Sequence, residues 1–169
     1  MPKKNKLAQW AESISGHVFN DVDLLNSALT HSSLAGEESF ERLEFLGDRV
    51  LGVIIAQMVF EEFPEDPEGK LATRFTSLVR RETLAEIGRA IDLGTHIRMA
   101  ASARSEGAQH KDSVLADGCE ALIGALYCDG GLRAAEAFVR SKWEDQVKAR
   151  PKVRKDAKTR LQEWAQGRG

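Results

Sequence analysis

Five carboxylates at helical spacing carry the clearest chemical potential in this sequence. Glu41, Glu44 and Asp48 lie in the run Glu41-Arg42-Leu43-Glu44-Phe45-Leu46-Gly47-Asp48. At about 100° per residue they fall within roughly 60° of one another on a helix surface, forming one acidic stripe. Phe45 and Leu51 border the stripe and Leu43, Leu46, Val50, Val53 and Ile54 cover the rest, which predicts a helix buried on most sides. Asp117 and Glu120 sit one turn apart in a second run, Ser113 to Asp129, that is apolar almost all round. Unpaired charge in a dry interior is costly, so such acids need a cationic partner or a metal ion. Each acidic face continues into a glycine, Gly52 beyond Asp48 and Gly124 beyond Glu120. A missing side chain lets helices, or a bulky ligand, come close. If the two helices pack face to face, Glu44, Asp48, Asp117 and Glu120 converge into one oxygen-rich pocket.

Carboxylates without a clearly placed His or Cys suit Mg²⁺ or Mn²⁺ and not Zn²⁺. Mg²⁺ keeps waters and completes its shell with phosphate oxygens, so the chemistry indicated is phosphoryl transfer with an activated water. A single ExxE or DxxE is usually a solvated face; acids on two apolar helices raise the metal reading to the level of its main competitor. That competitor is a set of buried ion pairs, with Arg42, Arg49, Arg74 or Arg80 as partners. Di-iron carboxylate bundles use Glu and Glu-x-x-His on facing helices, whereas Gly47 and Ile123 occupy the corresponding steps here. His31, in Thr30-His31-Ser32-Ser33, either reaches the centre or ends a helix structurally, the second being the commoner role for such a residue.

The elements that must position these acids are helical, and no stretch shows the sustained alternation of a half-buried strand. The body reads as all-α. A short helix around Lys6 to Ile14 precedes a second one, with Asn20 as N-cap and Phe19 set to staple onto Leu24. The acidic-stripe helix is expected from near Glu38 to Glu62, ended by Phe63-Pro64-Glu65-Asp66-Pro67-Glu68-Gly69. Leu71, Phe75, Leu78 and Val79 mark the next helix; Leu84, Ile87 and Ile91 mark another, closed by Gly94 as a left-handed cap. Residues 100 to 111 read as a mobile loop. The helix from Ser113 to Asp129 is stopped by Gly130-Gly131, and an amphipathic helix follows from Leu132 to Val147.

The chain has 169 residues, 42% hydrophobic and 30% charged, ordinary values for a globular protein. It has no run of 18 apolar residues and its start lacks the apolar stretch of a signal peptide, so a cytoplasmic protein is expected. Cys119 and Cys128 fit neither a disulfide nor a CxxC metal site and read as reduced core thiols. The net charge of -2 hides an asymmetry: 16 basic residues face 24 acidic ones up to Val147, and 8 face 2 from Lys148 onward. The basic arm Lys148-Ala-Arg150-Pro-Lys152-Val-Arg154-Lys155 suits a polyanion such as nucleic acid, with a solvated linker as the even alternative.

The run Glu41 to Asp48 followed by Val50-Leu51 resembles the signature of the ribonuclease III family, endonucleases that cut double-stranded RNA. Ala28-Leu-Thr-His31-Ser, Leu78-Val-Arg80-Arg-Glu-Thr83-Leu84-Ala and Ser113-Val-Leu-Ala-Asp117-Gly-Cys-Glu120, continuing to Gly131, are similar to further family segments. The resemblance covers roughly residues 15 to 147. It implies an all-α endonuclease domain that dimerises through the signature helix. It implies Glu44, Asp48, Asp117 and Glu120 as the metal ligands, with Asp48 and Glu120 catalytic, Mg²⁺ as cofactor and Mn²⁺ able to substitute. Glu41 and Glu68 match acids at the mouth of the site and at a second cation or RNA-cutting position. The products implied have a 5′ phosphate, a 3′ hydroxyl and a short 3′ overhang, from processing or decay of rRNA and mRNA in the cytoplasm. The partners implied are double-stranded RNA and a second copy of the chain, with no membrane and no small-molecule substrate.

Asp156 to Gln166 is similar to the first helix of a double-stranded RNA-binding domain, with Thr159, Gln162, Glu163 and Gln166 at the positions that face the minor groove. The expected organisation is a catalytic domain over residues 1–147, a basic linker over 148–155 and an incomplete RNA-binding domain over 156–169. Departures from the family pattern are Phe40 in place of Asn, Arg49 in place of a small residue, and the lack of Ser-Gly-Gly between Ala100 and Lys111. None removes a carboxylate. A noncatalytic RNA-binding scaffold is the alternative, and such relatives typically lose acids that this chain keeps.

Overall fold

One helix is apolar enough to be surrounded by all the others. From Val114 to Leu126 nearly every position is buried, so this segment has no face for water and must run through the centre. The computed structural model describes residues 6–34 and 40–149. Within them, α1 (Lys6–Ser15), α2 (Val22–Ala28), α3 (Glu41–Glu62), α4 (Glu68–Val79) and α5 (Arg81–Ala90) precede the short α6 (Leu93–His96) and α7 (Ala101–Ser105). A 3-10 turn, Ala108–His110, leads into α8 (Asp112–Lys148). No strand occurs among the described residues, only one isolated bridge between Thr30 and Arg98. The all-α reading therefore holds.

α8 is two helices joined at a kink. At Gly131 the backbone takes φ 69° and ψ −172°, a conformation open to glycine alone, and the axis is interrupted there. The half after the break is amphipathic: Ala135, Phe138, Val139, Trp143 and Val147 are buried at helical spacing. Trp143 is fully buried and its Nε1 donates to the Leu78 carbonyl at 2.9 Å, which fixes the end of α4. The first half ends in Asp129, whose carboxylate accepts from His17 Nε2 at 2.6 Å and from the backbone N–H groups of Asn20 at 3.0 Å and Asp21 at 2.9 Å. That side chain is only 3% exposed yet well supplied with donors.

The same contact explains a difference from the sequence reading. Asn20 spends its N–H on Asp129, and the N-cap of α2 is Asp21, whose Oδ1 accepts from the N–H groups of Asp23 and Leu24. Gly94 is not the left-handed cap either: Asp92 takes φ 55° and Gly94 lies inside α6. Asp tolerates that region because its short side chain bonds locally, here accepting from the Thr95 hydroxyl at 2.7 Å. Residues 100–111 are not an open loop. They fold into α7 and the 3-10 turn, held by buried Ala108 and by Arg104 Nη2 donating to the Ile97 carbonyl at 2.5 Å. The segment before Glu41 that was expected to begin α3 lies mostly outside the described residues, as do Arg150 to Lys155 of the basic linker and all of 156–169.

α3 is buried on one side only. Gly47, Val50, Leu51, Ile54, Ile55, Met58 and Val59 face the core, whereas Phe45, Val53 and Phe60 are 64%, 60% and 70% exposed. Its inner face meets α8 backbone to backbone. A Cβ on Gly47 would stand 1.7 Å from the Glu120 carbonyl oxygen, and one on Gly124 would stand 2.3 Å from that of Leu43. The closest approach thus uses Gly47 with Gly124, not Gly52, beside which the nearest atom is on the Phe75 ring at 3.8 Å. A Gly47→Ala substitution is expected to destabilise the fold by about 3 kcal/mol, seen as a lower urea midpoint at constant slope. A loss under about 1 kcal/mol would mean that the helices separate easily.

Candidate metal centre

The glycine contact sets the depth at which the acids meet. Glu44 lies three residues before Gly47 on α3, and Glu120 is the residue whose carbonyl Gly47 approaches on α8. One turn before Glu120, Asp117 projects from the same face. Carboxylate oxygens of Glu44, Asp117 and Glu120 consequently lie within 4.8 Å of one another, and all three residues are half-buried. Among the described residues this is the one group of three or more His, Cys, Asp or Glu side chains able to hold a metal ion.

Crowding like charges in a partly dry place has a measurable signature. Burial, then the charges of Glu44 and Asp117, push the Glu120 carboxyl up to about 7. Glu44 is raised by burial and by the charges of Asp117 and Glu41. Asp117 is raised by burial, against the opposing pull of Arg81 and His31. Arg49 and Arg81 also favour the charged form of Glu120, but too weakly to offset burial and its acidic neighbours. The cations at hand leave the group short of positive charge. All-oxygen donors with that deficit match a hard divalent cation.

The sequence-predicted residues divide. Glu44, Asp117 and Glu120 are brought together. Asp48 is not in the group; its Oδ2 accepts from Arg49 Nη1, and its side chain is 43% exposed. Glu41 is exposed and acts on the group through its charge on Glu44. Glu68 opens α4, is exposed and is likewise not one of the three. Thr159, Gln162, Glu163 and Gln166 lie outside the described residues. Of the arginines weighed as buried partners, Arg74 binds Asp66 at 2.9 Å beneath the ring of Phe63, Arg80 approaches Glu82 at 3.8 Å, and Arg49 takes Asp48. His31 serves locally, its Nδ1 accepting from the Ser33 N–H at 3.1 Å, and it also faces Asp117 electrostatically.

Arg81 escaped the sequence reading. It is the first residue of α5, and it reaches the acids only because α5 packs against α8. Its place beside Arg80 in the Leu78 to Ala85 segment was the available signal, and spacing alone could not say which arginine turns inward.

The model of the ribonuclease-III-like family matches residues 21–146, a span that contains all six candidate acids and the glycine contact. This chain belongs to the ribonuclease III family. A relative named Ribonuclease 3 from Rhodopseudomonas palustris is 44% identical over 171 residues, covering 99% of this chain and 63% of that protein. The chain therefore spans less than two thirds of that relative's length. A crystal structure of the nuclease domain of ribonuclease III from Campylobacter jejuni matches with a TM-score of 0.78 at 34% identity, over 89% of this chain and 99% of that one. A second structure of that nuclease domain, described as showing flexibility in a region involved in dimer formation, matches with a TM-score of 0.76 at 33% identity, over 80% and 98% of the two chains. The ribonuclease III nuclease fold is thus present here. No helix among the described residues is long and apolar enough to cross a membrane.

The raised carboxyl of Glu120 gives this family member a pH signature in the absence of metal. Its stabilising contribution is complete below the ordinary Glu value of 4.5 and is lost as pH rises through about 7. With a chelator present, thermal unfolding should show stability falling across that window. Glu120→Gln should flatten the slope and raise stability near pH 8 by about 1–2 kcal/mol, the full linkage value being reduced for solvent screening. Parallel profiles for the two proteins would refute the crowding of Glu120.

Proposed function

We propose that this chain is the catalytic part of a Mg²⁺-dependent endonuclease that hydrolyses phosphodiester bonds in double-stranded RNA. The observation that carries the reading is the meeting of Glu44, Asp117 and Glu120 oxygens within 4.8 Å in a setting short of positive charge. Family membership supplies the reaction class. Glu44, Asp117 and Glu120 would hold the cation, with Asp48 available from the next turn of α3; Mn²⁺ fits the same donors. A bound divalent ion supplies a water of lowered pKa as nucleophile and neutralises charge on the phosphate. Glu120 contributes a proton-holding carboxyl that empties when positive charge arrives, and Glu44 and Asp117 fix the orientation of the group from both helices. Glu41 and Glu68, both exposed, are assigned to the mouth of the site and to a second cation or RNA-cutting position. The expected products carry 5′ phosphates, 3′ hydroxyls and short 3′ overhangs, from processing of rRNA and mRNA in the cytoplasm.

The active unit is proposed to be a homodimer. Phe45, Val53 and Phe60 share a face of α3 within roughly 80° at helical spacing, and they are the large apolar side chains left to water on that helix. A stripe of this kind, beside the acidic one, would place two catalytic groups along one seam. Thr159, Gln162, Glu163 and Gln166 are proposed to contact RNA through 2′-hydroxyls and phosphates.

Glu120→Gln should leave the folded dimer intact while Mg²⁺-supported cleavage of duplex RNA falls by about a thousandfold or more, a loss typical of removing a residue on which metal-assisted chemistry depends. Duplex cleavage with and without added MgCl₂ checks it. Binding of duplex RNA without cutting at any Mg²⁺ concentration, in the unmutated protein, would instead establish a scaffold role.

A further inference from the structure

Asp48 shares the acidic stripe of α3 with Glu44 yet stands apart from the three grouped carboxylates, and its carboxylate is engaged by a neighbouring cation. Arg49 Nη1 donates to Asp48 Oδ2. The same guanidinium lies over the ring of Phe45, one turn earlier, at 4.9 Å from the ring centre. It is therefore fixed from two sides, by a carboxylate and by an aromatic face. The guanidinium also acts on Glu120, so its charge reaches across to the α8 side of the group. Both side chains keep contact with water, Arg49 63% and Asp48 43% exposed, which leaves the pair free to open.

We propose that Arg49 is a positioning residue that holds Asp48 away from the carboxylate group and thereby weakens that group's grip on a divalent cation. A cation entering among Glu44, Asp117 and Glu120 must recruit Asp48 by displacing the guanidinium, and it does so against the repulsion of that same charge. Occupancy then depends on an exchange of one positive partner for another. The inference rests on the metal reading of the site given above.

The test is a calorimetric titration of the whole chain with MnCl₂, which needs no RNA and no turnover. Arg49→Ser removes charge and tether together and should bind Mn²⁺ ~10-fold more tightly. Arg49→Lys keeps the charge but lacks the planar fork that grips a carboxylate and stacks on a ring, and should gain ~3-fold. Equal affinity of wild type and Arg49→Ser would overturn the proposal. A gain in Arg49→Ser with none in Arg49→Lys would also overturn it, because charge alone would then be acting. Failure of the wild-type protein to bind Mn²⁺ would instead refute the metal reading itself, and the inference with it.

Discussion

Everything distinctive about this molecule depends on two backbones touching. Helices ordinarily keep 8–10 Å between axes because side chains stand between them. At Gly47 and Gly124 nothing stands between, and the space that a Cβ would need is filled by the carbonyl oxygens of Glu120 and Leu43. That contact locks α3 against the central helix at one height and one rotation. The acids are placed by it. Glu44 arrives opposite Asp117 and Glu120 because it is fixed in register to a glycine that cannot be anywhere else.

Close approach has an electrostatic consequence that the fold does not resolve internally. Three carboxylates share a half-buried space, and the neighbouring guanidinium groups of Arg49 and Arg81 only partly compensate them. A protein selected for stability alone would pair these acids or replace them with apolar residues. The unpaired state is tolerable because the group remains in contact with water and because Glu120 can hold a proton. Stability is given up locally, at the place proposed to receive a cation, which is the usual relation between a working site and its scaffold.

Much of this was readable in residue types and spacing. Glu44, Asp117 and Glu120 declared themselves because acids in helices that are apolar on most sides are expensive, and their periodicity put them on single faces. The exposure of Phe45, Val53 and Phe60 went against the sequence reading, which expected α3 to be buried on most sides, because hydrophobicity alone does not say how many faces of a helix one core can cover. What could not be read was decided by contacts between distant segments. Whether Gly47 or Gly52 made the helix crossing depended on the crossing point, which periodicity leaves free. Asn20 and Asp21 are both good capping residues, and the choice fell to Asp21 once Asp129 had engaged Asn20. Arg81 acts on the acids through the packing of α5, and Asp48 accepts from its sequence neighbour Arg49, a pairing that helical periodicity does not indicate.

The central helix carries acids of two kinds. Asp129, at its end, is almost wholly enclosed, yet donors from His17, Asn20 and Asp21 surround its carboxylate and hold it below the usual range. Asp117 and Glu120 lie half-buried without such donors, and burial raises both. Local supply of hydrogen-bond donors separates the acid that rivets the chain together from the acids proposed to hold a cation. The two duties fall on different residues of one helix. Under the proposed assignment a descendant of this chain can shed its chemistry without shedding its architecture, since Asp129 secures the architecture and stands outside the grouped carboxylates.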